Sequence, residues 1–294
     1  MTPAHVHPSG PGPASLAAAA TALSAVAVYL LAAARLRRRG DAWPPARDVC
    51  FAAGGAALAA AALVAPPGGP FTAHMARHLA VGMAAPLLLV LARPLTLALR
   101  LLRPGPVRRT LLAAAHSRPA GWLVCPPVAA VLDVGGLWLL YRTPLWAAVH
   151  GRPVLDAAVH LHVLAAGLLF TFAVCRLDPV RRRWGLLPRG AALLGAGAAH
   201  AVLAKSLWAS PPPGTGFAPA DLRTGARLMY YGGDLVEIAL ALVLAVQWYA
   251  AGGRALARGR RPSPAVRMSV RASGGYAKDT TREGVAQRSA GAGR

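Results

Sequence analysis

Residues 71–91 read FTAHMARHLAVGMAAPLLLVL. The stretch carries no carboxylate, and from Leu79 to Leu91 it is apolar throughout. A helix of roughly 20 apolar residues crosses about 30 Å of hydrocarbon, so this segment has the length and the composition of a membrane span. Its ionisable side chains, His74, Arg77 and His78, crowd into the first turns. One end therefore sits near water and the other does not.

Working outward, six more runs have the same character: 14–34, 49–65, 121–140, 156–175, 190–210 and 226–250. The run at 49–65 is short and contains Gly54-Gly55, yet residues 56–65 are wholly apolar between Asp48 and Pro66. The composition agrees. Of 294 residues, 55% are hydrophobic and 14% charged, against about 25% charged in a soluble domain. The 31 glycines and 26 prolines follow no period, which excludes a collagen-like chain. Cys50, Cys125 and Cys175 are too few for a disulfide framework and read as small apolar core residues at cytoplasmic span ends.

The net charge of +22 would suit a nucleic-acid binder, but its distribution reads as topology. Arg35, Arg37, Arg38, Arg39 and Arg47 follow the first span. Arg93, Arg100, Arg103, Arg108, Arg109 and Arg118 separate the third from the fourth. Arg176, Arg181, Arg182, Arg183 and Arg189 separate the fifth from the sixth, and the tail from 251 carries nine Arg and Lys278. Thus 26 of 32 basic residues share one side, while Arg142, Arg152, Arg223 and Arg227 lie on the other. The positive-inside rule then gives N-out and C-in, which requires an odd number of spans. The expected architecture is an all-α, seven-span transmembrane helical bundle in the cell (plasma) membrane. An outer segment occupies 1–13, the membrane domain 14–250, and a basic, disordered cytoplasmic tail 251–294. The first span, with basic residues after it and none before, reads as retained rather than as a signal peptide. The lipid bilayer is a partner and nucleic acid is not.

No GxGxxG, Walker, HExxH, CxxC or SxxK motif stands on a usable element, and Ser24, Ser206 and Ser210 lack triad partners. Nothing points to a hydrolase or nucleotide enzyme, and the protein is expected not to be an enzyme.

The ionisable residues inside the spans carry the functional signal, because each is costly in hydrocarbon. Besides the third span's trio, these are Asp133 in the fourth, Asp156, His160 and His162 in the fifth, His200 and Lys205 in the sixth, and Asp234 and Glu237 in the seventh. All fall at or outside the bilayer centre, as one polar pocket near the outer face would require. His74 and His78, at i,i+4, share a helical face. Neutral imidazole is the commonest protein metal ligand. Met75 adds a thioether suited to Cu(I). Asp156 could orient His160, also at i,i+4. His160 and His162 cannot share a face, so at most one enters the pocket. His5-x-His7 and His150 lie in outer segments, and only His116 is cytoplasmic. The simpler alternative makes these histidines interfacial hydrogen-bonding groups, with Asp133, Asp234 and Glu237 as ion-pair partners of Arg77 and Lys205. Pro86 and Pro126-Pro127 break spans, and Gly232-Gly233 permits close helix contact beside Asp234.

The block Phe71-Thr-Ala-His74-Met75-Ala-Arg-His78-Leu, followed by Ala85-Pro86-Leu-Leu-Leu-Val and Pro94-Leu, resembles the caa3-type cytochrome c oxidase assembly factor family. Further matches follow in order. They are Tyr29-Leu with Arg35–Arg39; His160, Ala166-Gly167-Leu-Leu-Phe170 and Asp178-Pro179; His200 with Ser206; and Asp221, Gly225, Met229, Gly233-Asp234-Leu and Trp248. The chain departs from the family pattern at Asp221-Leu222, Val159-His160 and Thr171, where Asp-Gln, Glu-His and an aromatic are often found. The resemblance implies a role in maturing haem-copper cytochrome c oxidase by delivering or inserting copper on the outer side. The expected donors are His74, His78 and His200, with His160 fourth and Met75 favouring Cu(I). Arg77, Asp133, Asp156, His162, Lys205, Asp221, Asp234 and Glu237 would support the pocket. The implied partners are oxidase subunits and other copper chaperones. Two alternatives stand: a b-type haem protein pairing His78 with His160 or His200, and a metal or proton transporter, against which the inner halves of the spans offer no polar path.

Overall fold

Pro13, Pro45, Pro70, Pro94, Pro106, Pro126, Pro153 and Pro219 each open a helix, the position where the missing N–H leaves nothing unsatisfied and the fixed φ is already helical. The computed structural model describes residues 12–149, 151–179 and 184–259. In chain order the α-helices are α1 (Pro13–Arg38), α2 (Pro45–Leu63), α3 (Pro70–His78), α4 (Ala85–Leu91), α5 (Pro94–Leu101), α6 (Pro106–Ala115), α7 (Arg118–Leu123), α8 (Pro126–Ala130), α9 (Gly136–Arg142), α10 (Leu145–Val149), α11 (Pro153–Cys175), α12 (Leu186–Ala209) and α13 (Pro219–Gly259). Two π-helical turns, Leu79–Ala84 and Val131–Gly135, join α3 to α4 and α8 to α9.

Among the described residues, six segments are long and apolar enough to cross a membrane: Pro13–Arg38, Pro45–Leu63, Pro70–Leu101, Val154–Cys175, Leu186–Ala209 and Pro219–Gly253. Their large apolar side chains face outward, as Leu31, Leu194 and Leu235 do at 69%, 76% and 70% exposure. The stretch 121–140, expected as a span, is not among these six and is helical in pieces. Tandem prolines at 126–127 cannot continue α7. From Pro126 the helical backbone runs only to Arg142, about 25 Å at 1.5 Å per residue.

The chain divides into two units, 1–244 and 245–294. In the second, the helical conformation extends to Gly259, and the rest of the expected tail lies outside the described residues. In the first, α2 packs between α1 and α4. The Gly54-Gly55 pair makes this possible, since a Cβ on Gly55 would strike Val26 of α1 and one on Gly54 would press on Leu88 and Leu89 of α4. A second close approach sets the site's floor. A Cβ on Gly167 of α11 would fall on the carbonyl oxygen of Gly82, inside the first π turn.

Carboxylates tie distant helix starts. Asp221 of α13 accepts the first-turn N–H groups of α3, from Phe71 at 2.8 Å and Thr72 at 3.0 Å, and the Thr72 hydroxyl at 2.6 Å. Gly69 holds no side chain that could cap α3 itself. Asp178 does the same for α5, accepting from Thr96 N at 2.9 Å and from the Thr96 hydroxyl. The buried Tyr29 hydroxyl donates to the Ala92 carbonyl at 2.8 Å, pinning α1 to the end of α4.

Candidate functional site

The i,i+4 spacing of His74 and His78 puts both rings on the face of α3 that looks into the bundle, but into two different cavities. The outer one, of about 40 Å³, is lined by His74, Arg77, His78, Tyr141, Trp146, Asp156 and His160, among others. The deeper one, of about 20 Å³, is lined by His78, Asp133, His200 and Glu237 within a largely apolar wall. Each holds at least one water-sized group. His78 borders both.

In the outer cavity the imidazoles have partners. His74 Nε2 shares a hydrogen bond of 2.8 Å with the Tyr141 hydroxyl, and its ring stands edge-on to Trp146 at 4.1 Å between centroids. His160 lies 6.5 Å from His74 between centroids. Its Nδ1 donates to the Asp156 carbonyl at 2.8 Å and lies 3.4 Å from the Asp156 carboxylate. A donor at Nδ1 leaves the lone pair of a neutral imidazole on Nε2.

The deeper pair differs. The rings of His78 and His200 lie 6.1 Å apart, 26° from parallel. Both residues are buried, at 6% and 4% exposure, and both Nε2 atoms are buried without a hydrogen-bond partner. The large majority of buried side-chain polar atoms are paired, so two orphans on facing rings call for an explanation. Glu237 Oε1 stands 3.7 Å from His200 Nδ1.

Glycines seat this pair reciprocally. A Cβ on Gly233 of α13 would collide with the His200 ring, and one on Gly197 of α12 would collide with the Glu237 carboxylate. Each helix presents a gap where the other presents its polar group. The two π turns frame the cavity: the first begins directly after His78 and the second contains Asp133. Such turns are frequent at functional sites, because the wider turn re-aims side chains out of the regular ladder.

The remaining sequence-derived residues separate from this centre. Met75 is fully buried in an apolar cluster with Phe71, Leu203 and Met229, and lines neither cavity. His162 packs over Gly136 of α9. Asp221 caps α3, and Asp234 lines neither cavity. Lys205 is exposed, its ammonium 5.4 Å from the Tyr230 ring centre. The expected pairing of Arg77 and Lys205 with Asp133, Asp234 and Glu237 does not occur. Ion pairs among the described residues are Arg37–Asp48, Arg100–Asp41, His160–Asp156 and His200–Glu237. Arg77 lines the outer cavity with its Nε buried and unpartnered. His5, His7 and His150 lie outside the described residues. Among those described, no group of three or more His, Cys, Asp or Glu converges as a closed metal site would need. Tyr141 and Trp146 were missed in the sequence. Their spacing is ordinary for a core, and only their contacts with His74 mark them out.

Residues 27–251 match the family model described as Cytochrome c oxidase caa3 assembly factor (Caa3_CtaG). The chain belongs to this family. The match takes in every residue that lines the two cavities and only the C-terminal part of α1, from residue 27 to Arg38. An uncharacterised protein of Mycobacterium bovis (Mb0105) is 37% identical to this assembly-factor family member over 164 residues, 53% of the chain and 25% of the relative. An uncharacterised protein of Mycobacterium leprae (ML1998) is 29% identical over 251 residues, 78% of the chain and 38% of the relative. The chain therefore matches well under half the length of these curated relatives. No solved structure matches it.

Proposed function

We propose that this membrane assembly factor takes copper as cargo at its outer histidines and passes it to a subunit of cytochrome c oxidase. In this reading the bundle has seven spans, the broken segment 121–140 included, and sits N-out and C-in in the cell membrane. The observation that carries the copper reading is the pair of buried, unpartnered Nε2 atoms of His78 and His200. Imidazole nitrogen suits copper. Two protein donors leave the remaining coordination to the recipient, whereas a closed four-ligand site would retain the ion. His74 and His160 line the more open cavity, which reaches His78, and would serve as the approach. Met75 plays no part in this scheme, because its sulfur is enclosed in apolar packing. Holding haem between His78 and His200 is disfavoured by size: a cavity of about 20 Å³ has no room for a macrocycle.

The test replaces His78 and His200 together with Ala. Copper per chain in the purified protein is expected to fall, and oxidase activity with it, while the variant accumulates normally. Full copper content and full oxidase activity in that variant would sink the delivery reading and leave a scaffold role through helix contacts. Orientation is tested separately by a reporter fused after Trp248, expected to be active only on the cytoplasmic side.

A further inference from the structure

On the lipid-facing side of α12 and α13, near the loop that joins them, lies a groove with no part in the histidine site. It encloses about 450 Å³ and is lined by Lys205 and Trp208 of α12 and by Arg227, Tyr230 and Tyr231 of α13, with Ala204 and Ala226 at its base. Its two cations are held over rings: the Lys205 ammonium 5.4 Å from the Tyr230 ring centre and the Arg227 guanidinium 4.5 Å from that of Trp208. Both cations are exposed. No carboxylate lines the groove, and neither cation is in an ion pair among the described residues.

We propose that this groove binds an anionic phospholipid, its phosphate between Lys205 and Arg227 and its acyl chains along the helices below. Lys205 lies four residues inside the end of α12, about 6 Å along the axis, at the level where interfacial aromatics gather. Toward the membrane interior the same surface turns apolar: Val202 on α12 is 55% exposed and Leu235 on α13 is 70% exposed. Cations above and bare aliphatic side chains below match an anionic amphiphile from headgroup to tail. A soluble anion would use only the upper half. The tyrosine and tryptophan faces hold the long cationic side chains toward the groove, where they would otherwise reach away to water.

This proposal does not depend on the copper reading, and its readout is lipid rather than metal. The full-length protein in detergent is titrated with phosphatidylglycerol, phosphatidylcholine or soluble glycerol phosphate, and bound lipid is counted by native mass spectrometry. The wild type is expected to retain one phosphatidylglycerol in preference to phosphatidylcholine. Each basic residue near an anionic headgroup is worth about fivefold in affinity, so Lys205→Gln with Arg227→Gln should weaken retention about 25-fold. Arg223→Gln, an exposed cation outside the groove, should leave retention unchanged, as should the His78/His200 double variant. The substituted side chains are exposed, so an unchanged helical spectrum and melting temperature are expected. Three results would overturn the proposal: equal retention of the two lipids, a loss in Arg223→Gln as large as in the double variant, or displacement of the lipid by glycerol phosphate at equal concentration. Loss of oxidase co-purification in the double variant without any lipid preference would also overturn it, in favour of a protein partner.

Discussion

His74 and His78 sit one turn apart on the same face of the same helix, yet they are in opposite chemical states. His74 is engaged, bonded to Tyr141 and flanked by Trp146 and His160. His78 is buried against His200 with an idle nitrogen, as His200 also has. Leaving a buried polar atom unpaired typically costs about 1–3 kcal/mol. The proposed copper reading gives these two nitrogens a use. In the outer cavity His74 and His160 have hydrogen-bond partners, and the Arg77 Nε is the unpartnered atom beside them. Under the proposed copper reading, His74 and His160 would guide the ion and His78 and His200 would hold it.

The largest effect expected from this comparison is a gap between two double variants. Losing a group that merely orients a metal-bound histidine costs about 10–100-fold in affinity. Removing both His78 and His200 should therefore lower copper affinity by at least about 100-fold, while His74→Ala with His160→Ala should cost less and chiefly slow loading. Metal titration with stopped-flow loading measures both. Equal losses in the two variants would erase the distinction between the cavities.

Next come the glycine seats. Gly233→Ala pushes a methyl into the His200 ring, and overpacking of this kind costs about 1–3 kcal/mol. Thermal unfolding in detergent should register it, together with lower copper content. Gly195→Ala on the same helix as His200 meets no neighbouring atoms within 4 Å and should change neither.

A smaller effect is expected at Asp221, whose carboxylate takes three hydrogen bonds from the first turn of α3. Capping losses run about 0.5–2 kcal/mol. Asp221→Ala should lower the melting temperature and loosen the helix that carries both histidines, and Asp221→Asn, which keeps one acceptor, should do so less. The smallest effect belongs to Tyr141→Phe. It deletes one hydrogen bond to His74, and such bonds within membrane bundles average about 0.6 kcal/mol. A shift larger than that of Asp221→Ala would mean that the outer cavity, not the deeper one, is the strained part of the site.

Much of this molecule could be read from the chain alone, for a physical reason. Hydropathy is a local property, and a span is a continuous run, so six of the expected crossings correspond to apolar helical segments of spanning length among the described residues. Depth is also local: counting residues along each helix puts His78, His200, Asp133 and Glu237 all in the same half of the expected spans, with His200 deeper than His78. The segment 121–140 is helical only in pieces, and the break falls at Pro126-Pro127, where the residue types along the chain already mark it. Which polar groups meet was decided only by tertiary structure. It depends on how each helix is rotated about its own axis, and sequence periodicity says little about rotation when a helix is apolar nearly all round. The glycines at 197 and 233 set that rotation by admitting Glu237 and His200 across the α12–α13 contact. The π turns after His78 and around Asp133 re-aim what the ordinary helical period would place elsewhere. Residue types and their depth are written along the chain. The pairing of His78 with His200, and the turning aside of Met75, His162 and Lys205, come from close contacts between helices distant in sequence.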